Sequence, residues 1–308
     1  MGDIKLRPMR VEDWAAVADL ICVSTNYWYR VNRGFPIFAN GPDSVRVFCE
    51  VYEALDPGCC ILAEDRTTGL LMGSCFYHPR PTHVSLGIMN VHPNHFGRGV
   101  ARLLLTEITD FADRETKPVR LVSSAMNLDS FSLYTRAGFV PRRAFQDMMI
   151  SVPEDGLDFD VPGKERVRQA RLDDVPAIVE LEKSVSGIDR AKDFEYFIRN
   201  RAGIWHTSVY EGEKGKVDGV LVSVTHPGSN MLGPGVMSSE AQVLPLILAE
   251  LNANAGRSPV FLVPVESPVV QDLYGWGARN CEIHFAQIRG EFQPFEGVVM
   301  PTFMPETG

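Results

Sequence analysis

"NVHPNHFGRGVARLLL", residues Asn90 to Leu105, decides how the rest of the chain is read. Gly97 and Gly99 flank Arg98, with a Val-His-Pro turn behind them and an apolar-periodic run ahead. Ala101, Leu104, Leu105, Ile108 and Ala112 share one face at helical spacing, which predicts a helix over 98–114. Glycines at a helix start remove the Cβ atoms that would hold a ligand off. They leave N–H groups facing outward at the positive helix end, which suits an anion. No Gly-Lys-Ser/Thr follows, so this is not a Walker A loop. Arg102 stands where the dinucleotide fingerprint needs its third glycine. Taken alone, the loop reads as a tight turn capping a helix.

The strand before it changes that reading. In "VSLGIMNV", Val84, Leu86 and Ile88 are apolar on even numbers, then Met89 and Val91 on odd numbers. A phase flip inside a strand is what one inserted residue produces, so a β-bulge is expected there. A bulge bends its strand and opens a cleft beside residues 89–91. A ligand with a phosphate end and a long amide-bearing arm fits both features, the arm lying along the strand like an extra strand. Coenzyme A has that shape.

Outward from this stretch, the first half reads as strand 3–7, helices 11–23 and 43–54, strands 59–65, 69–78 and 82–91, helix 98–114, strand 119–125, helix 128–136 and strands 139–151. Consecutive strands with short links predict antiparallel pairing, hence a mixed sheet with flanking helices. The chain then starts again. Arg7, Arg10, Asp13 and Leu20 recur as Arg168, Arg171, Asp174 and Leu181 at one constant offset, and Leu133-Tyr134 recurs as Leu273-Tyr274. An internal duplication accounts for both ends. "PEDGLDFDVPGK", Pro153 to Lys164, is the expected linker. The 308 residues therefore divide into 1–152, a linker at 153–164 and 165–308.

Composition is that of an ordinary globular chain, 45% hydrophobic and 22% charged. The net charge of −9 falls wholly on the second half, which argues against nucleic acid as partner. No apolar run is long enough for a membrane helix, and no signal peptide is evident. The six cysteines show no paired framework and read as reduced thiols of a cytoplasmic protein, a monomer or homodimer. No histidine spacing suggests a metal.

Two ordered signatures make residues 1–150 resemble the GNAT superfamily of N-acetyltransferases. Val91-His92-Pro93 and Phe96-Gly97-Arg98-Gly99-Val100-Ala101 stand on its loop motif, with Phe96 in place of the usual Gln or Arg. Asn127, Leu133-Tyr134 and Gly138-Phe139 stand on its later motif. The whole chain resembles bacterial proteins of two fused GNAT domains, the second degenerate. The resemblance implies two tandem GNAT folds of α+β class with a mostly antiparallel sheet. It implies acetyl-CoA as cosubstrate, no metal, and acetyl transfer to a primary amine of a small molecule or peptide.

By the same resemblance, Met89, Asn90, Val91, Phe96, Gly97, Arg98, Gly99, Val100, Ala101, Asn127 and Tyr134 would hold the cofactor. Tyr134 would protonate the departing thiolate. The acceptor would lie by Tyr27, Trp28, Tyr29 and Arg30. The carboxylate base that many members carry is replaced by Ser85, so the base stays open; His83 and His92 are near it in sequence. A non-catalytic acyl-CoA-binding sensor or scaffold is the alternative reading. The second half keeps Leu273-Tyr274, has Ser267 for Asn127, and places Glu240 at a helix start where it would repel a pyrophosphate. It is expected to keep the fold and lack the cofactor.

Overall fold

The computed structural model describes residues 4–306. In chain order it runs β1 (Ile4–Pro8), α1 (Trp14–Arg33), α2 (Pro42–Leu55), β2 (Cys60–Asp65), β3 (Leu71–Pro79), β4 (Val84–Val91), α3 (Val100–Arg114), β5 (Val119–Ser124), α4 (Leu128–Arg136) and β6 (Val140–Met149). It continues with β7 (Val167–Gln169), α5 (Val175–Ser186), α6 (Ala191–Arg199), β8 (Trp205–Glu211), β9 (Val217–His226), β10 (Ser229–Met237), α7 (Val243–Asn252), β11 (Val260–Pro264), α8 (Val269–Gly275), β12 (Arg279–Arg289) and β13 (Val298–Met300). Strand pairing is antiparallel in every described register except β10 with β11. The expected elements of the first half are all present, β6 being one strand where strands 139–151 were expected. Residue 3 of the expected first strand lies outside the described residues.

The chain forms two compact units, and they do not divide at the linker. One unit gathers residues 4–79, 83–119 and 304–306; the other gathers 80–82 and 120–303. Strand exchange is the reason. In the second unit the strand order is β5-β12-β6-β11-β10-β9-β8-β7, so β12 of the second half lies between β5 and β6 of the first. β6 in turn pairs with both β12 and β11. A polar–apolar alternation marks a strand but not its neighbours.

In the first unit, β1 to β4 pair in sequence order. α3 turns Val100, Leu104, Leu105, Ile108 and Ala112 inward. Gly73 on β3 lets that helix close in: a Cβ there would stand 2.8 Å from Val100 Cγ1 and 2.9 Å from the Asn90 carbonyl. α1 runs ten residues beyond the expected end at 23, to Arg33, where Gly34 terminates it at φ 83°. The extra turns were hidden because their inward residues are polar. Ser24 Oγ donates to the Leu20 carbonyl at 2.7 Å, while Asn26 bonds both backbone groups of Phe38, at 3.1 and 2.9 Å.

The duplication is visible atom by atom. Arg7 grips Asp13 at 2.6 and 2.8 Å and Glu64 of β2 at 2.6 Å. Arg168 grips Asp174 at 2.8 and 2.8 Å and Glu211 of β8 at 2.5 Å. Asp13 and Asp174 then accept from the backbone N–H of Arg10 and Arg171, fixing the entry to α1 and to α5 alike. Such bidentate, partly buried pairs hold geometry well because both partners are planar forks.

Candidate active site

β4 carries the expected bulge. Cys75 faces Met89 and Tyr77 faces Leu86, so Gly87 and Ile88 together oppose Phe76 alone. Downstream, Gly97 (φ 74°) and Gly99 (φ 80°) adopt the left-handed conformation that favours glycine, and Gly99 is the N-cap of α3. No side chain caps this helix. The N–H groups of Gly97, Gly99, Val100 and Ala101 find no acceptor among the described residues. A Cβ on Gly97 would meet nothing within 4 Å. The loop is thus a row of unspent donors on the positive end of a 15-residue helix, with room in front of it. Arg98 adds positive charge; it donates to His95 Nδ1 at 2.9 Å and lies 3.8 Å from Asp65. Burial and the neighbouring Arg98 hold His95 below its ordinary pKa.

The residues expected around this loop lie on the last turns of α1, on β4 and in the turn before α3. Tyr27, on the last turns of α1, meets Phe96 edge-on at 5.9 Å, and both rings are about half exposed. Trp28 and Tyr29 pack on each other at 5.0 Å, with Phe35 next to Tyr29 at 6.4 Å. Arg30 is exposed in the basic last turn of α1, where a cation suits the helix dipole. The Asn90 side chain turns toward α1, donating to Ser24 Oγ at 2.8 Å and Thr25 Oγ1 at 3.2 Å. Its Oδ1 is buried without a partner, a feature that sequence reading missed. His92 Nδ1 accepts from the Asn94 backbone at 3.2 Å and so caps the turn, a structural role.

Asn127 and Tyr134 belong to the second compact unit. Asn127 is the N-cap of α4 and accepts from Ser130 N–H at 3.1 Å. Tyr134 is the buried residue of that helix, 7% exposed, its ring 5.8 Å from Phe139.

The second half repeats the bulge and then fills it. On β10, Gly233 and Pro234 together oppose Val222 of β9. Beyond the bulge β10 is no longer beside β11; Gly235, Val236 and Met237 pair instead with Met300, Val299 and Val298 of β13, which also lies against β11. Ser267 donates to Glu240 at 2.6 Å, and Ser239 and Gln242 form a capping box ahead of α7. The Tyr274 hydroxyl donates to Gln146 at 2.7 Å. This unit also holds a cavity of about 40 Å³ with apolar walls and Arg120, Glu182 and Arg190 at its margin, which none of the expected site residues lines. Among the described residues no group of three or more His, Cys, Asp and Glu side chains is gathered as a metal would need. No helix there is long and apolar enough to cross a membrane.

Residues 25–139 match the Acetyltransferase (GNAT) family. A 90-residue stretch is 30% identical to the UPF0157 protein YqkA of Bacillus subtilis (strain 168), covering 28% of this chain and 26% of that protein. The chain therefore spans about a quarter of that relative's length. Among solved structures, a putative acetyltransferase from Pyrococcus horikoshii superposes with a TM-score of 0.75 at 15% identity, over 100% of this chain and 97% of that one. A tandem GNAT protein from the clavulanic acid biosynthesis pathway gives 0.61 at 14% identity, over 93% and 98%. At such identities the likeness is one of fold, and the fold is that of tandem GNAT proteins. The GNAT family as a whole works with acyl-CoA and an acceptor.

Proposed function

We propose that the chain is an N-acetyltransferase moving an acetyl group from acetyl-CoA to a primary amine of a small molecule or peptide. One observation carries this reading: the row of unpartnered N–H groups at Gly97, Gly99, Val100 and Ala101, set on a helix start directly after a bulged strand. Those donors would take the pyrophosphate, and the backbone of residues 89–91 the amide arm. The acceptor amine attacks the thioester carbonyl, and the carbon–sulfur bond breaks. Tyr134 gives its phenolic proton to the thiolate, with Asn127 contributing to the cofactor arm. Tyr27 and Phe96 form an aromatic ledge next to the loop for the acceptor or the adenosine end.

The second half serves as a structural partner. Its own β13 lies where an amide arm would pair with β10, and Glu240, held by Ser267, puts a carboxylate where a pyrophosphate would come. Calorimetric titration with acetyl-CoA, with thiol release on an amine panel, tests both points. One acetyl-CoA per chain and amine-dependent thiol release are expected. Two equivalent sites, or binding without any transfer, would overturn the reading; the second result would favour a sensor.

A further inference from the structure

The cavity of the second unit brings charge into apolar surroundings. Phe145, Val236, Ile288 and Met300 are among its walls, and Arg120, Glu182 and Arg190 line it as well. It is open to solvent, and its lining residues Val122, Phe295 and Val299 are partly exposed. Its 40 Å³ is room for roughly three water-sized groups.

The charges around it do not balance. Glu182 Oε1 accepts from Arg190 Nε at 2.8 Å and from its Nη2 at 2.5 Å. Asp193, whose charge also bears on Glu182, is paired with Arg80 at 2.9 and 2.8 Å. Arg120, on β5, has no carboxylate of its own among the described residues. A guanidinium carries five N–H donors. Arg120 uses Nη2 on the Ser186 carbonyl at 2.9 Å, while its Nε–H is buried without an acceptor. The residue is 6% exposed. Burial pushes its pKa down to about 10, with Glu182 opposing that shift and Arg190 adding to it. It is still a cation at neutral pH, and a buried charge without a counter-charge is strongly destabilising.

The duplication shows that packing does not require this. At the offset that carries Arg7 to Arg168, Ile21 of α1 answers to Glu182 of α5, and both are fully buried. The first half fills that helix face with hydrocarbon; the second places a carboxylate there, beside two arginines. Well-packed apolar residues do as well or better where stability alone is at stake.

The lining also selects the ligand. A guanidinium matches a carboxylate, whose two oxygens can take parallel N–H donors. The apolar walls suit a short alkyl end. A dianion would bring its second charge against Glu182, whose Oε2 is buried without a partner. We propose that this cavity binds a short monocarboxylate, its carboxylate on the Arg120 guanidinium and its alkyl end on the apolar walls toward the opening. The inference is independent of the transferase reading.

The test uses the full chain at pH 7, with acetate, propionate or butyrate replacing chloride at constant ionic strength. Scanning calorimetry should show a rise in Tm that saturates, unlike a general salt effect, and titration should give one carboxylate per chain. Arg120→Met, which removes the charge, should weaken binding roughly 10- to 150-fold. Ala286→Leu, which keeps the charge and fills the cavity at a residue of its lining, should weaken it too. Saturating acetyl-CoA should leave the carboxylate affinity unchanged.

A wild-type chain without saturable binding overturns the proposal. So does native affinity in Arg120→Met, or competition with acetyl-CoA, either of which would put the carboxylate elsewhere. Should Arg120→Met fail to fold, native affinity in Ala286→Leu overturns it instead.

Discussion

Gly97→Ala separates a ligand site from a mere turn. At φ 74° an L residue is strained by about 1–2 kcal/mol. The new methyl itself meets no protein atom within 4 Å. The cost to the free protein is therefore the backbone strain alone. A matched control exists in Gly203→Ala, at φ 69° with nothing within 4 Å, in the turn before β8. Both variants should lose a similar, small amount of stability, roughly 2–4 °C in Tm per kcal/mol for a unit of this size. Only Gly97→Ala should touch acetyl-CoA, because the methyl stands in the space before the N–H row. Losing one charge-assisted hydrogen bond to a phosphate costs about 1.5–3 kcal/mol, or roughly 10- to 150-fold in Kd. Calorimetry on both variants and differential scanning of both apo proteins give the comparison. Native affinity in Gly97→Ala, or an equal loss in Gly203→Ala, would refute the placement of the pyrophosphate.

Tyr134→Phe should lower kcat by roughly tenfold to a thousandfold with little change in acetyl-CoA affinity, since an acid acts in the transition state; rapid-mix thiol release shows whether chemistry limits, and an unchanged chemical step removes Tyr134 from that role. His206 is held above its ordinary pKa, chiefly by its hydrogen bond to Glu250 at 3.0 Å. A raised folded pKa stabilises fully below the unfolded value near 6.5 and ceases to do so as pH rises through the folded one. The Tm advantage of wild type over His206→Gln should accordingly be largest at mildly acidic pH and shrink toward alkaline pH; a constant gap contradicts the pairing. A chain cut after Gly163 should be insoluble or unfolded by circular dichroism, because β6 loses β11 and β12, both its neighbours, and presents bare edges.

What the sequence displays is what local chemistry dictates. The α3 face, the glycine loop and the bulge at Gly87-Ile88 were legible because each shows as a change of period or a glycine pair within a few residues. The repeated Arg-Asp clamps were legible as a constant offset, and both fold into the same bonds. The last turns of α1 were not legible, since Ser24 and Asn26 bury polar groups against backbone and mimic an exposed segment. The exchange of β6 and β12 leaves no local mark at all. Arg120 and Glu182 come from β5 and α5, and no spacing links them.

The two halves share one device and put it to different ends. Each bends its fourth strand by a two-against-one bulge, at Gly87-Ile88 and at Gly233-Pro234. A bulge ends pairing with one neighbour and leaves backbone donors and acceptors to be satisfied by something else. In the second half the chain supplies that partner itself: Val298–Met300 completes the ladder of Gly235–Met237, and the Ser267–Glu240 bond occupies the helix start. In the first half the N–H groups of Gly97, Gly99, Val100 and Ala101 have no such answer within the described residues. Donors at an exposed helix start are satisfied by water until better-placed acceptors arrive, so this row stays open to a partner that comes and goes. A covalently attached strand cannot leave. Deleting the C-terminal residues from 297 onward would therefore open the β10 bulge without creating an anion site, because Glu240 stays. Acetyl-CoA stoichiometry measured by calorimetry on a folded variant of that kind should remain at one, and a rise to two would show that β13 alone closes the second site.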